Sequence, residues 1–292
     1  MARRRIKKAK AYSMHGFITP EDGGALKEYS NLIKKLGEKY GEIKLAIQDE
    51  VIAIVGVYRA HGLIAFQFIA GTEDTITIYD QISGKAINEK LPDGQLSAAV
   101  SWLICDPHSR IAFIESRRPG VSREKMRKLI KEFGRKELNY PEFEFEFHPL
   151  AGPEFDTEVN RFTRIREVDV ILSRPNKDWL PASLLAGAAA DSNAYTVEIE
   201  TKAARGKSLS KDRGIIDAVT SYARKRITAL KEVRIKGTVP DVEGEYEAKL
   251  SENQATVSTR IEADSTESEI AGALMQNIDK TRMKYSNGEM EE

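Results

Sequence analysis

Two residues of opposite charge stand two positions apart where an alternating segment ends. Glu200 lies in the run Tyr195–Thr201, in which polar and apolar residues alternate, and Lys202 follows it directly. Alternation with a period of two predicts a half-buried β-strand, and residues two apart on a strand project from the same face. A carboxylate and a lysine placed in this way can hold Mg²⁺ and orient a water molecule. The pair is therefore a candidate for metal-assisted hydrolysis.

The spacing of Glu200 and Lys202 resembles the E-x-K element of PD-(D/E)xK nucleases. That resemblance implies another acidic residue upstream, for which Asp169 and Asp191 are candidates, although neither of them directly follows a proline. Because 31% of the residues are charged, an acid two places before a lysine also arises by chance. A Mg²⁺-dependent nuclease using Glu200 and Lys202 is the alternative function. The main prediction is a protein without catalytic activity.

Gly206, Lys207 and Ser208 stand between a predicted strand and a predicted helix, where the phosphate loop of a nucleotide hydrolase would lie. A complete loop of that kind needs a glycine at the position of Thr201, so nucleotide hydrolysis is not predicted. A basic loop that opens a helix can still hold one DNA phosphate. The four histidines lack zinc-site spacing, and a single cysteine, Cys105, excludes a cysteine-based zinc site. No metal or cofactor is predicted.

Positive charge is concentrated in three segments of a chain whose formal net charge is zero. The first ten residues contain six Lys or Arg and no acid, residues Arg117–Lys136 contain nine against two acids, and residues Tyr195–Lys236 contain eleven against five. Clustered charge creates a local field that attracts polyanions even when the total is neutral. The predicted DNA-binding residues are Arg117, Arg118, Lys125, Lys128, Lys202, Arg205, Lys207, Lys211, Arg213, Arg224 and Lys225.

The hydrophobic pattern of the first half predicts an antiparallel meander with packed helices. Ser122 is the predicted N-cap of a helix over Arg123–Lys136, whose apolar stripe should pack on the sheet. The predicted strands are Ile6–Phe17, Ile43–Ile47, Val51–Tyr58, Leu63–Ile69, Thr75–Tyr79, Val100–Ile104 and Ile111–Ile114, with a helix over Ala25–Leu36 after the first of them.

The second half is predicted to mix strands and helices. Thr266 and Glu269 form a capping box for a last helix, whose stripe of Ile270, Leu274 and Ile278 is a candidate dimer contact. A half-buried strand of alternating Glu and Phe is predicted at Glu142–Phe147. The other predicted strands are Ile165–Leu172, Tyr195–Thr201, Val233–Val239, Tyr246–Leu250 and Ala255–Ile261, with helices over Leu180–Ala190 and Lys211–Lys231.

These elements predict an α+β protein of two domains. Residues 1–140 form an antiparallel sheet with packed helices, and residues 141–292 form a mixed α+β domain for DNA binding and oligomerisation. No apolar run approaches the roughly 20 residues that a membrane-spanning helix needs, and no secretory signal is present. A cytoplasmic location is therefore expected.

Part of the first half resembles the RexA-like exclusion proteins of lambdoid prophages. The matching residues are Ser101–Ile104, Ile111–Ile114 and Pro119–Ser122, which form two short strands and a loop that leads into an amphipathic helix. The resemblance implies a homodimeric DNA-binding protein that helps a prophage to exclude superinfecting phage, with an effector that is a membrane protein or another partner. No functional residue is carried over from it.

The predicted function is therefore non-sequence-specific binding of double-stranded DNA, by a homodimer with a role in antiviral defence. Neither a helix-turn-helix nor a zinc finger is recognisable, so base-specific contacts are not predicted. Besides the nuclease alternative, a protein-interaction module would also explain the clusters, if basic and acidic patches pair between subunits.

Overall fold

A computed structural model describes residues 4–17, 25–73, 75–80, 82, 84–173, 196–224 and 230–286. The protein is mostly β, with 46% strand and 26% helix arranged as three antiparallel sheets and five helices among the described residues. The predicted α+β class is therefore wrong. Some residues that were predicted to be loop or helix form strands instead, and the helices pack on the faces of the sheets.

The largest sheet has eight strands, which come from both ends of the chain. β9 (Glu144–Pro149) pairs with the second half of β1 (Arg4–Phe17), where Tyr12 lies opposite Pro149. Strands from both sides of residue 140 thus enter this sheet, and the predicted domain boundary stays a prediction. The other seven strands run across the sheet in the order β14 (Thr256–Glu262), β1 (Arg4–Phe17), β8 (Ile111–Glu115), β7 (Ser97–Asp106), β4 (Leu63–Thr72), β3 (Glu50–Ala60) and β2 (Lys44–Ile47).

Two helices, α1 (Ala25–Glu38) and α2 (Arg123–Glu137), lie on one face of this sheet. The apolar stripe of α2 is buried as predicted, because Met126, Leu129 and Ile130 recur at helical spacing. Burying each such side chain stabilises the fold by about 1.5–3 kcal/mol. None of the described helices is long and apolar enough to cross a membrane.

The last helix, α5 (Glu267–Ser286), covers the opposite face of the large sheet. Its predicted capping box is confirmed, since Thr266 N–H donates to Glu269 Oε2 at 2.8 Å and Glu269 N–H donates to Thr266 Oγ1 at 3.3 Å. Leu274 and Ile278 are almost fully buried against the chain's own strands. The apolar stripe of α5 is therefore not available as the contact between two copies.

The second sheet has four antiparallel strands in the order β11, β10, β12, β13. Two helices, α3 (Pro153–Arg161) and α4 (Ile215–Ala223), supply buried residues to the core on one of its faces. Residues that alternate with that core, such as Glu167 and Asp169, form the charged opposite face. The strand bounds are Arg164–Ser173 for β10, Thr196–Lys202 for β11, Leu230–Thr238 for β12 and Tyr246–Lys249 for β13.

The helix predicted over Lys211–Lys231 is wrong, because α4 ends at Ala223 and β12 begins at Leu230. Gly214 precedes α4 with a φ of 75°, a left-handed conformation that is incompatible with a helix running on from Lys211. In β12, buried apolar residues such as Val233 and Ile235 alternate with more exposed charged residues, a pattern that is typical of a strand. The predicted helix Leu180–Ala190 lies outside the described residues.

A separate two-stranded hairpin consists of β5 (Thr75–Asp80) and β6 (Lys85–Lys90). The strands of both large sheets and β5 are confirmed where they were predicted, whereas β6 and α3 were missed. Every residue of β6 is exposed, so it carries no hydrophobic alternation from which a strand could be predicted.

Candidate nucleic-acid interface

A seven-residue loop, Ser116–Ser122, connects β8 to α2 and is fixed to the large sheet. A Cβ atom on Gly120 would lie 2.6 Å from the carbonyl oxygen of Arg117 and 2.7 Å from Ser101 Oγ, so only glycine fits. The N–H of Val121 donates to the same Ser101 Oγ at 2.9 Å. The loop is therefore held by the sheet itself, and it presents two consecutive arginines to solvent.

Ser122 caps α2 as predicted, because its Oγ accepts a hydrogen bond from the N–H of Lys125 at 3.3 Å. The cap fixes the angle at which the loop enters the helix. The first turn of a helix also attracts anions through its dipole and its free N–H groups.

The loop, the first turn of α2 and the neighbouring strands enclose a pocket of about 500 Å³. We call it the loop pocket. Its two acidic lining residues are Glu50 and Glu115. The basic residues that line it are Lys10, Arg117, Arg118, Arg123 and Lys125.

Both acids in the loop pocket are already paired. Glu50 Oε1 lies 2.5 Å from Lys125 Nζ, and Glu115 Oε1 lies 2.6 Å from Lys7 Nζ. The second oxygen of Glu115 accepts a hydrogen bond from the backbone N–H of Trp102 at 3.2 Å. These two carboxylates are therefore neutralised by Lys7 and Lys125. The other four cations that line the pocket, Lys10, Arg117, Arg118 and Arg123, take no part in these pairs.

Those four cations have no carboxylate partner among the described residues. Lys10 Nζ donates to the carbonyl oxygen of Ser251 at 3.0 Å, which leaves its charge uncompensated. The Arg123 guanidinium lies 5.4 Å from the centre of the Tyr12 ring, a cation–π contact with a neutral group. Arg117 and Arg118 are exposed. The loop pocket consequently concentrates unpaired positive charge.

Tyr12 forms part of the wall beneath Arg123. Burial raises the pKa of its phenol above the ordinary value, and this effect outweighs the opposing influence of the Arg123 charge. The phenol therefore stays neutral at physiological pH. A neutral ring keeps its favourable contact with a guanidinium and adds no negative charge to the pocket.

The charged face of the second sheet is arranged differently. Asp169 on β10 lies opposite Glu200 on β11, and Glu167 lies opposite Lys202. The carboxylates of Glu167, Asp169 and Glu200 form a cluster, in which one oxygen from each lies within 4.8 Å of the other two. Of the two candidates for the upstream acid, Asp169 is thus beside Glu200, and Asp191 lies outside the described residues. Carboxylate oxygens at this spacing fit a hard divalent cation.

Two lysines pair with the three carboxylates of this cluster. Lys202 Nζ lies 2.6 Å from Glu200 Oε1 and 3.6 Å from Glu167 Oε2, and Lys236 Nζ contacts Glu167 and lies 3.4 Å from Asp169 Oδ2. The hydrogen bond with Lys236 is the largest cause that lowers the pKa of Glu167. In return, Glu167 raises the pKa of Lys236 to about 12.

The predicted DNA-binding residues separate into different environments. Arg117, Arg118 and Lys125 come together in the loop pocket, although Lys125 is paired with Glu50. Lys128 is exposed on α2, one turn beyond Lys125.

The predicted residues of the second half lie on the second sheet and its helices. Lys202 is paired, Arg224 lies 2.8 Å from Asp156 Oδ2, and Lys211 Nζ donates to the carbonyl oxygen of Asn160 at 2.8 Å. Lys225 lies outside the described residues. The exposed cations Arg205, Lys207 and Arg213 lie between β11 and α4.

Lys10 and Arg123 are cations of the loop pocket that the predicted binding set did not include. Lys10 enters the site because β1 pairs with β8, where it lies opposite Ile114. That pairing joins residues about a hundred positions apart. The signal for Arg123 was present, since it directly follows the predicted N-cap Ser122 in a basic segment.

No protein-family model matches this chain, and no curated protein matches it.

Proposed function

We propose that the protein binds the phosphate backbone of double-stranded DNA through the loop pocket, without base-specific contacts. The observation that carries the proposal is a set of four cations that line one pocket and have no carboxylate partner in the described part of the chain: Lys10, Arg117, Arg118 and Arg123. Cations that neutralise phosphates supply most of the affinity in sequence-independent binding, because they release condensed counterions.

Two further features support a phosphate ligand. The first turn of α2 lines the same pocket and favours negative charge. Arginine also forms bidentate hydrogen bonds with phosphate oxygens, and Gly120 fixes the backbone beside the arginine pair. A backbone that is already fixed gives up less conformational entropy on binding than a flexible one.

Fluorescence anisotropy with two unrelated duplexes at about 50 mM salt tests this function. We expect equal affinity for both duplexes and about tenfold weaker binding by an Arg117→Ala/Arg118→Ala variant. The matched control is Lys85→Ala/Lys90→Ala, which removes the same charge from the exposed strand β6 and should bind normally. Absence of DNA binding at this salt concentration would refute the proposal.

A second candidate function is a Mg²⁺-dependent nuclease at the carboxylate cluster. The observation in its favour is that Asp169 lies opposite Glu200, beside Lys202, on adjacent strands. If a metal bound there, Glu167, Asp169 and Glu200 would hold it, and it would supply Lewis-acid chemistry for phosphodiester hydrolysis. Lys202 would orient the attacking water.

Nicking of supercoiled plasmid with and without Mg²⁺ tests this second function. Glu200→Gln should abolish any EDTA-sensitive nicking, whereas Glu198→Gln, which changes an exposed acid on the same strand, should retain it. If the parent protein produces no nicking, or if both variants nick alike, the nuclease assignment is wrong.

Homodimer formation, a cytoplasmic location and a role in excluding superinfecting phage stay proposals that follow from the sequence. Light scattering at micromolar concentration tests the dimer. Because the stripe of α5 is buried within the chain, a dimer would need another surface.

A further inference from the structure

The loop pocket has an apolar floor as well as a cationic rim. Ala70, Ile114 and Val121 line it and are 5%, 4% and 3% exposed, so the pocket reaches the hydrophobic core beneath α2. Ala99 lies opposite Ala70 on the neighbouring strand and also lines the pocket. Two adjacent alanines leave space where larger side chains would close the floor.

An internal phosphate of a duplex would use only the rim of this pocket. Its sugar and base stay within the double helix, so the apolar floor would remain in contact with water. A floor of buried apolar side chains instead favours a ligand that has a planar or apolar body joined to an anionic group. A volume of about 500 Å³ is within the range of small-molecule sites.

The pocket offers a separate surface to each part of such a ligand, one to the anionic group and one to the planar body. Arg117 and Arg118 provide charge at the outer edge, where a phosphate can keep part of its hydration. The exposed Arg123 guanidinium, which lies over the buried Tyr12 ring, provides a flat surface on which a base can stack. Glu115 does not repel the phosphate, because Lys7 neutralises it.

We propose that the loop pocket binds a nucleoside 5′-phosphate, either as a free nucleotide or as the terminal nucleotide of a DNA strand. The phosphate contacts Arg117 and Arg118, and the base lies between the Arg123 guanidinium and the floor at Ala70 and Ala99. The DNA form of this inference rests on the proposed function. The free-nucleotide form does not.

Isothermal titration of the full chain with three small probes tests the pocket directly. We expect dAMP to bind at least tenfold more tightly than deoxyadenosine or inorganic phosphate, because only dAMP uses both rim and floor. If dAMP binds no better than inorganic phosphate, the floor contributes nothing and the inference is overturned. This comparison uses the unmodified protein and does not depend on the folding of a variant.

Two substitutions separate rim from floor. Ala99→Phe fills the floor and should weaken dAMP at least tenfold while leaving the affinity for inorganic phosphate unchanged. Arg118→Ala should weaken both probes. Ala86→Phe, at an exposed position of β6, is the matched control, and circular dichroism confirms folding of each variant. Unchanged dAMP affinity in folded Ala99→Phe would contradict the assigned floor.

A DNA arm distinguishes the two sources of the nucleotide. If strand ends bind, a linear duplex with 5′-phosphates should bind about tenfold more tightly than a covalently closed circle of the same sequence, and dAMP should compete with the linear form. Equal affinity, with dAMP still bound, supports the free-nucleotide form and rejects strand ends. Failure of all DNA to bind while dAMP binds refutes the proposed function alone, whereas DNA binding without dAMP binding refutes this inference alone.

Discussion

The loop pocket and the charged face of the second sheet both concentrate ionised side chains, but the charges are combined differently. In the loop pocket, each acid has its own lysine, whereas Arg117 and Arg118 have no carboxylate partner among the residues that the structure describes. On the sheet face, Lys202 and Lys236 lie among three carboxylates. The first region has excess positive charge, and the second has a slight excess of negative charge.

The difference shows why a count of charges along the chain does not locate a binding surface. The segment with the largest number of positive charges, Tyr195–Lys236, includes Lys202 and Lys236, which are both neutralised by neighbours on adjacent strands. The field at a surface depends on the charges that remain after such pairs are formed. By this criterion the loop pocket is a stronger site for a polyanion than the charged face of the second sheet.

Matched charge reversals should produce the largest difference between the two regions. Arg118→Glu inserts an acid among unpaired cations, so DNA affinity should fall more than tenfold. Lys202→Glu makes the same change in charge at an already acidic face, and it should weaken binding no more than about threefold. Anisotropy at one salt concentration measures both, and equal losses would remove the distinction between the regions.

Removing an acid from the charged face of the second sheet should make the net charge there more positive, as it is in the loop pocket. Glu167→Gln leaves Lys236 and Lys202 with less compensating charge, so DNA affinity should rise by about threefold. The same substitution at Glu243, which is exposed elsewhere, controls for the change in net charge. An affinity that rises equally in both variants would show that only net charge matters.

The smallest effect should come from pH. Because Lys236 holds the pKa of Glu167 below its ordinary value, Glu167 stays ionised, and the pairing is complete above that value. The pairing is lost only as pH falls through the lowered pKa. The ratio of DNA affinities of the parent protein and Lys236→Ala should therefore stay constant between about pH 5 and 8. A ratio that changes within this window would contradict the pairing.

Local patterns predicted much of the fold. The cap at Ser122, the buried stripe of α2 and the capping box at Thr266 depend on residues within four positions of one another, and all three were predicted. The prediction of one long helix failed because six residues, 224–229, separate α4 from β12, and the apolar residues on both sides also fit a helical period. Gly214 was the signal that a helix could not begin at Lys211.

Site residues whose role depends on strand register could not be predicted in this way. Glu144 belongs to the alternating run that was predicted only as a half-buried strand, and its carboxylate lies 2.5 Å from Lys131 Nζ and 3.1 Å from an Arg135 guanidinium nitrogen. Much of the basic face of α2 is neutralised by such contacts. Likewise, Lys10 reaches the loop pocket only through the pairing of β1 with β8. Pairing between distant strands decides which charges remain free.

The salt dependence of DNA binding tests most directly whether the loop pocket binds DNA phosphates. Each phosphate that a cation neutralises changes the slope of log K against log salt by about −0.9. Four unpaired cations predict a slope of about −4 for the parent protein, and about −2 for Arg117→Ala/Arg118→Ala. Lys85→Ala/Lys90→Ala should keep the parent slope. If the loop variant has the same slope as the parent, Arg117 and Arg118 do not contact phosphates, and the loop pocket is not the DNA-binding site.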